Sequence, residues 1–389
     1  MTDRRDRGTD GRDERDRGTD GGDDRGTDGG VETGSERTDD GSGGLRGLSG
    51  RLWVALAAVA LLALLGVAAV VAPESSGGRL FGVIVSTSTL AATLRLSVPI
   101  VFAALGGIFA EKSGVINIGL EGLLIISAFA AIYGTDVTGS LLAGFLIGVL
   151  ASTALAGLFA VVCIEFRADQ IIAGLAIWLI ALGLAPFLSQ VVYGGPNTDR
   201  VDTLGTWTVP VLADVPLLGA VFDAAPPVYL MFVAVAAAWY VLNRTAFGRW
   251  VRASGENPRA LDTAGVDVSR VRYAAVLLSG VLSGFGGAAL AFNIGQFTGN
   301  GPTMVNGKGF IAIVAYLFGN YNPVGALGST MLFAGLDAVQ LRLQTQQILG
   351  VPDALVQTIP FVAVIVVLAL VGRTRIPEAA GDHYESGEE

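Results

Sequence analysis

The sequence has little of what catalytic and metal-binding sites usually need. It contains one cysteine, Cys163, and one histidine, His383, in 389 residues, which excludes an internal disulfide and a histidine-based metal cluster. Charged residues make up only 15% of the chain and apolar residues 52%, whereas soluble domains are about 25% charged. This composition is too apolar for a soluble domain, and it indicates an integral membrane protein.

The net charge of −9 comes mainly from the two ends of the chain. Residues 1–50 hold fourteen acidic residues and nine arginines, and residues 378–389 add five acidic residues. The first segment repeats an Asp-Arg-Gly-Thr-Asp-Gly theme with almost nothing apolar, so it cannot bury enough surface to offset its ordering entropy. We predict a disordered, acidic and arginine-rich tail at 1–50, a membrane domain at 51–372 and an acidic tail at 373–389.

Ten apolar stretches are candidates for crossing the roughly 30 Å of hydrocarbon in a bilayer. They lie at 52–72, 82–109, 114–133, 139–164, 170–193, 227–243, 273–294, 307–319, 322–341 and 353–371. The second is overlong and carries Arg95 and Pro99, which predicts a broken or tilted helix, and the short eighth stretch predicts a half-helix. We therefore predict an all-α polytopic membrane bundle of about ten transmembrane helices.

The distribution of arginine and lysine predicts which loops are cytoplasmic, because positively charged loops stay on that side. With the N-terminus inside, eleven of these residues lie at cytoplasmic boundaries of the spans and four at external ones. Both tails are then cytoplasmic, 194–226 is the main external loop and 244–272 is the main cytoplasmic loop. We predict a multi-pass protein of the cell membrane with both termini in the cytoplasm.

The loop 244–272 contains a strong local helix signal outside the spans. Asn257 can cap a short helix whose first residue is Pro258, and Gly265 can end it in a left-handed conformation. The result is a small rigid helix at the membrane surface, rimmed by arginine. Contact with a partner protein and a solvated helix without a partner both fit this pattern.

Two polar residues, Asn117 and Glu121, lie within an apolar span in the motif EKSGVINIGLEG at 111–122. Their spacing of four predicts that they share one helical face. A carboxylate inside a span costs about 2.5–3.5 kcal/mol, so it usually faces a partner or an aqueous pathway. A solute pathway and a structural hydrogen bond to a neighbouring helix, for example to Arg95, both fit. Asp337 is a second buried-acid candidate with the same two interpretations.

A cluster of polar side chains, with one aromatic ring among them, lies between the end of the seventh predicted span and the start of the eighth. Its members are Gln296 and Phe297, together with Asn293, Asn300, Asn306 and Lys308. At the predicted external mouth of the bundle, amides and an aromatic ring suit a neutral hydroxylated or heteroaromatic solute. An ordinary surface loop would have the same composition.

The sequence lacks a nucleotide-hydrolysis site, so ATP-driven work must come from another chain. The nearest approach to a P-loop, Gly301–Gly309, has one residue too many after its first glycine, and Gly309 stands where Ser or Thr is needed after the lysine. We predict no catalytic residue, cofactor, metal site or nucleic-acid partner. An ion-coupled secondary transporter is a rival hypothesis, but no inverted repeat is evident. An intramembrane enzyme is disfavoured, because the membrane body lacks histidine and paired acids.

Four ordered motifs carry a resemblance to a known family. They are EKSGVINIGLEG at 111–122, GENPRALDTAGVDVSRVR at 255–272 followed by LLSGVLSGFGGA at 277–288, NGKGFIAIVAYLFGNYNPVGA at 306–326, and GLDAVQLRLQ at 335–344. Over about 86–372 the chain resembles the permeases of ABC importers for ribose, other simple sugars, nucleosides and branched-chain amino acids. The likeness is greatest to the nucleoside, purine-lipoprotein-associated branch. Tyr321 is a small departure, since the resemblance predicts Trp there.

The resemblance implies a type II importer fold and a transport function. The chain would import nucleosides, or a simple sugar, by alternating access. Its implied partners are an ABC ATPase subunit, a second permease that is a related chain or a second copy, and an extracellular solute-binding lipoprotein. The short helix becomes a coupling helix, and its ATPase-contacting residues are Gly255, Glu256, Asn257, Pro258, Arg259, Ala260 and Gly265. The expected substrate pathway contains Asn117, Glu121, Gln296, Phe297 and Asp337.

Overall fold

The structure, a computed structural model, describes residues 74–208, 219–346, 352–358 and 375–384, with isolated positions in 63–72, 210–215 and 362–365. Three of the predicted segments lie wholly or mostly outside these residues: the tail at 1–50, the first span at 52–72 and the tenth span at 353–371. All the described residues belong to one compact unit, Arg46–Glu389.

The described residues form helices almost throughout. In chain order these are α1 Ser76–Ile84, α2 Thr87–Lys112, α3 Leu120–Thr138, α4 Leu141–Ala160, α5 Gln170–Tyr193, α6 Gly219–Phe222, α7 Pro226–Arg244, α8 Ala246–Glu256, α9 Pro258–Thr263, α10 Val268–Ile294, α11 Lys308–Phe318, α12 Pro323–Gln346 and α13 Asp353–Val356. A π-helical turn, Val161–Glu165, extends α4. Two short strands, β1 Trp207–Thr208 and β2 Asp223–Ala224, pair antiparallel.

Seven of the described helices are long and apolar enough to cross a membrane: α2, α3, α4 with its π-helical turn, α5, α7, α10 and α12. They correspond to seven of the ten predicted spans. The eighth predicted span is the 11-residue helix α11, as its short apolar stretch indicated. The prediction of an all-α membrane bundle is confirmed.

Local signals in the sequence explain where several of these helices begin and end. The side chains of Ser86 and Asp169 accept hydrogen bonds from the backbone N–H groups three residues later, at 3.1 and 2.9 Å, and so cap α2 and α5. Gly139 and Gly194 adopt left-handed conformations after α3 and α5. Because glycine has no Cβ, it ends a helix in this way without steric cost.

The interior of the bundle consists of α2, α3 and α10. In the apolar stretch of each helix, 83% of the residues are buried in α2 and in α3 and 72% in α10. The corresponding share is only 28% in α5, α7 and α12. Small residues allow the close contacts: a Cβ added at Gly287 would overlap the carbonyl oxygen of Leu124, and Ser127 Oγ donates to the carbonyl oxygen of Gly284 at 2.6 Å. In lipid, such close packing and interhelical hydrogen bonds hold helices together.

Three helix boundaries differ from the prediction. The break expected at Arg95 or Pro99 lies earlier, between α1 and α2, because Ser86 caps a new helix there, and α2 continues through Pro99. The third span does not begin at 114, because Gly114 has a φ of +94° and residues 113–119 are not helical before α3 starts at Leu120. The span predicted to begin at 273 starts at Val268, which Asp267 caps.

Candidate functional site

Two non-helical segments connect helices of the bundle. Residues 113–119 connect α2 to α3, and residues 295–307 connect α10 to α11. With 11 residues, α11 extends about 16 Å, roughly half of the hydrocarbon thickness. Non-helical backbone at membrane depth occurs where it is buried in protein or lines an aqueous cavity. The N-terminal end of α11 is therefore a candidate for a solute pathway.

Glu121 joins these two parts of the structure. Its Oε1 accepts a hydrogen bond from the backbone N–H of Gly307 at 2.7 Å, and its Oε2 accepts one from Gly309 at 2.6 Å. Gly309 lies so close that an added Cβ would overlap the backbone of Glu121. The carboxylate thus satisfies two N–H groups at the start of α11, where the helix dipole also favours negative charge. Lys308 interacts electrostatically with Glu121.

A cavity of about 400 Å³ opens beside Glu121. Its lining consists of Glu121, Trp178, Leu182, Pro302, Asn306, Gly307, Phe310, Ile311 and Val314. The rings of Trp178 and Phe310 meet edge to face, with centroids 5.3 Å apart. The volume suits a small-molecule ligand, and the wall combines aromatic surface with a carboxylate and an amide. Such a wall can contact the face of a flat ring and hydrogen-bond to hydroxyl groups.

The short helix predicted in the loop 244–272 is present as α9. Asn257 Oδ1 accepts a hydrogen bond from Ala260 N at 3.0 Å, Pro258 is the first helical residue, and Gly265 has a φ of +80°. These three features confirm the predicted geometry. A preceding helix, α8, was not predicted, and its Gly255 is buried against the backbone of Lys112. Five members of the predicted ATPase contact are exposed: Glu256, Asn257, Arg259, Ala260 and Gly265.

The profile of the family described as "branched-chain amino acid transport system / permease component" matches residues 89–371. The chain belongs to this permease family. It is 40% identical over 308 residues to a nucleoside ABC transporter permease of Lactococcus lactis, covering 75% of this chain and 94% of the relative. It is 36% identical over 309 residues to a guanosine ABC transporter permease of Bacillus subtilis, covering 76% and 96%.

A third relative of the permease carries a different solute class in its name. A glucose ABC transporter permease of Haloferax volcanii is 29% identical over 328 residues, covering 78% of this chain and 83% of the relative. No solved structure matches the chain. The permease is a multi-pass membrane protein and a transport component rather than an enzyme. As in the ABC transporters of its relatives, an ABC ATPase and a substrate-binding component complete the system.

Asn117 does not share a helical face with Glu121, so that prediction is wrong. It precedes α3, where its Oδ1 accepts a hydrogen bond from Gly119 N at 3.0 Å and its Nδ2 donates to Ser279 Oγ on α10 at 3.2 Å. The predicted bond between Glu121 and Arg95 is also wrong. Both carboxylate oxygens of Glu121 bond to backbone N–H groups, and Arg95 is exposed.

Phe297 lies in the core of the permease and does not line the cavity beside Glu121, and its place in the substrate pathway stays a prediction. It is fully buried, and its ring meets that of Phe129 edge to face at 5.6 Å. Gln296 Nε2 donates to the carbonyl oxygen of Thr198 at 2.6 Å, which ties the segment 295–307 to the loop after α5. Asp337, on α12, is partly buried and interacts electrostatically with Lys308.

A second buried carboxylate, Glu111, was not singled out in the sequence. The hydroxyl groups of Tyr316 and Tyr321 both donate to it, the latter at 2.7 Å, and so join α2 to the end of α11. Lys112 lies over the ring of Tyr321, 5.6 Å from its centroid. Burial, and then the negative charge of Glu111, raise the pKa of Tyr321, so this side chain stays a hydroxyl donor. The one sign of this hydrogen-bond network in the sequence was Tyr321, where the resemblance predicts Trp.

The described part of the permease contains no group of three or more His, Cys, Asp or Glu side chains that could hold a metal ion.

Proposed function

We propose that the permease imports nucleosides through the cavity beside Glu121, in a transporter whose energy comes from a separate ABC ATPase. The observation that carries this proposal is the wall of the cavity, which combines the aromatic rings of Trp178 and Phe310 with the polar groups of Glu121 and Asn306. A nucleoside presents the same combination, a flat heteroaromatic base and a hydroxylated sugar. The nucleoside and guanosine permeases among the relatives support this solute class.

Other predicted pathway residues have contacts that fit a supporting role. Asn117 holds the segment before α3 against α10, and Gln296 and Phe297 hold the segment before α11. Asp337 acts through Lys308, which also interacts with Glu121. In this proposal Glu121 contacts the solute directly. Asn117, Gln296 and Phe297 hold the segments around the pathway in place, and Asp337 acts electrostatically.

Coupling to ATP hydrolysis runs through the loop 244–272. The proposed ATPase contact consists of Gly255, Glu256, Asn257, Pro258, Arg259, Ala260 and Gly265. The exposure of Glu256 and Arg259 supports it, and so does the capped, rigid geometry of α9. ATP-driven closure of the partner subunits would move α9, and the bundle would then open the cavity alternately to the two sides.

The proposed assembly follows from the same mechanism. A second permease, either a related chain or a second copy, completes the pathway, and an extracellular lipoprotein delivers the solute. The permease lies in the cell membrane with both termini in the cytoplasm, flanked by the acidic tails at 1–50 and 373–389. The weakly buried outer helices α5, α7 and α12 offer surface for lipid and for the second permease.

Uptake of labelled nucleoside by the complete transporter in proteoliposomes tests the solute class. Trp178→Leu removes an aromatic face, and we expect it to raise KM for a nucleoside by about tenfold, since base stacking is worth about 1–3 kcal/mol. Trp178→Phe should recover part of the loss. The matched control is Trp239→Leu, because Trp239 lies on the outer helix α7.

Competition by unlabelled solutes decides between nucleosides and a simple sugar, which the glucose permease among the relatives makes the second candidate. Inosine and guanosine should inhibit uptake, and glucose should not. Inhibition by glucose alone, with an unchanged KM in the Trp178→Leu variant, would contradict the proposal.

A further inference from the structure

The described C-terminal residues, Arg375–Tyr384, pack against the end of the bundle that carries α8 and α9. We call this segment the C-terminal strap. The sequence predicted only an acidic tail here, because residues 378–389 hold five acidic residues and no arginine or lysine. In the structure it makes hydrogen bonds to five separate parts of the chain, described below, and Ala379 within it is buried.

Backbone hydrogen bonds attach the middle of the strap. Ala379 N donates to the carbonyl oxygen of Gly255 at 2.8 Å, and Gly381 N donates to the carbonyl oxygen of Gly114 at 3.0 Å. Gly255 lies in the last turn of α8, and Gly114 follows the end of α2. The strap therefore bridges the loop that contains the coupling helix and a central helix of the bundle. At its start, Arg375 N donates to Asn320 Oδ1 at 3.2 Å.

Arg272, in the first turns of α10, is the fourth attachment. Its side chain is buried, and Nη1 donates to the carbonyl oxygen of Asp382 at 2.7 Å. Within the described part of the chain, its Nε and Nη2 have no hydrogen-bond partner. Burying a cation without hydrogen-bond acceptors destabilises the fold, so the acceptor that the strap provides stabilises Arg272 in its buried position. An added Cβ at Gly114 would meet both this guanidinium and the carbonyl oxygen of Ala379, which shows how closely the three groups pack.

The last attachment reaches α9 itself. The hydroxyl group of Tyr384 donates to Asp262 Oδ2 at 2.9 Å, and the Tyr384 ring packs against the core. Burial, and then the hydrogen bond to Asp262, raise the pKa of Tyr384, so the hydroxyl stays a donor at neutral pH. A helix of six residues is not stable on its own and depends on packing against the rest of the protein. Its position depends on contacts such as this one and on the buried side chain of Leu261.

We propose that the C-terminal strap positions α9 relative to α2 and α10, so that a displacement of α9 by the ATPase is transmitted to the bundle. This inference rests on the proposed coupling role of α9. Tyr384 and Gly381 are positioning residues in it, since they act through α9 and Gly114 and contact no solute. Without the strap, α9 would move when the ATPase closes, but the movement would be lost within the loop.

Two variants of the full-length permease, in the complete transporter, test the strap. Tyr384→Phe keeps the ring and removes the hydroxyl donor to Asp262. Gly381→Ala places a Cβ on a residue with a φ of +89°, 3.2 Å from Ile116 Cδ1. The matched controls are Tyr240→Phe, an exposed tyrosine on α7, and Gly139→Ala, a glycine with a φ of +67° and open space around it.

Three quantities are measured on each variant: amide hydrogen exchange of residues 375–384, ATP hydrolysis, and solute taken up per ATP hydrolysed. We expect faster exchange in the strap and about a three- to tenfold lower uptake per ATP, the range set by one hydrogen bond that orients α9. ATP hydrolysis should stay within about twofold of the wild-type rate, since the ATPase still binds. Both controls should behave as wild type.

Normal uptake per ATP in a variant whose strap exchanges faster would overturn the proposal, and so would fast exchange of residues 379 and 381 in the wild type. Failure of the proposed function gives a different result. In that case a photo-crosslinker at Arg259 in the wild-type permease would not reach the ATPase. A wild type that crosslinks and couples normally, with strap variants that couple equally well, rejects the strap alone.

Discussion

Replacement of Glu121 tests the candidate pathway most directly, because both of its carboxylate oxygens bond to backbone N–H groups at the start of α11. In Glu121→Gln one oxygen becomes an amide nitrogen, which would face an N–H donor. One hydrogen bond to a charged group is lost, at a cost of about 1.5–3 kcal/mol. In Glu121→Ala two backbone donors lose their partner, at roughly 1–3 kcal/mol each.

Two measurements separate the roles of Glu121. Thermal unfolding of the purified permease should rank wild type above Glu121→Gln, and Glu121→Gln above Glu121→Ala. Uptake per folded permease should show a raised KM in both variants if Glu121 contacts the solute, and a normal KM if it only holds α11. Glu165→Gln is the control, because Glu165 is exposed. After the substitution, the amide oxygen of the new side chain can still accept the hydrogen bond from Tyr273.

Two results would refute this reasoning. A Glu121→Gln variant as stable as the wild type would contradict the arrangement with two backbone donors. A normal KM in both variants, at wild-type expression, would remove Glu121 from the solute pathway.

Four further outcomes are expected. Tyr321→Phe leaves Glu111 with one hydroxyl donor fewer, so the free energy of unfolding should fall by about 1.5–3 kcal/mol, and the unfolding temperature with it. An unchanged unfolding temperature would contradict the buried hydrogen-bond network. Gly287→Ala should lower folded yield through overpacking of about 1–3 kcal/mol, whereas Gly183→Ala, with open space around it, should not. A cysteine at Glu256 should resist labelling from outside intact cells; efficient labelling there would reverse the topology. The purified permease alone should hydrolyse no ATP, and hydrolysis by the pure chain would contradict the need for a separate ATPase.

Much of the fold could be predicted because its signals are local. A run of apolar residues indicates a span wherever it occurs, and seven predicted spans are long apolar helices in the structure. The geometry of α9 was equally predictable, since Asn257, Pro258 and Gly265 act on the backbone within a few residues. The family was also evident from the sequence, because its motifs are continuous stretches of sequence.

The interpretation of the site was less accurate wherever partners are distant in sequence. A continuous helix was predicted around Glu121, because the apolar residues run on from Val115. Residues 113–119 are not helical, and hydropathy gives no sign of this. Phe297 was predicted to lie at an external mouth of the bundle, because its neighbours in sequence are polar. Phe297 is buried against Phe129, which lies on α3 and is distant in the sequence.

The sequence by itself determined the membrane environment, the approximate positions of seven spans, the cap of α9 and the family. Only the tertiary structure decided what Glu121 bonds to, since Gly307 is 186 residues away along the chain, and a backbone N–H group has no signature in the sequence. The same holds for the C-terminal strap, whose attachment to Gly255 and Gly114 uses backbone atoms that every residue carries. Hydropathy and capping depend on side chains close in sequence, whereas these contacts depend on which backbone groups the packed helices bring together.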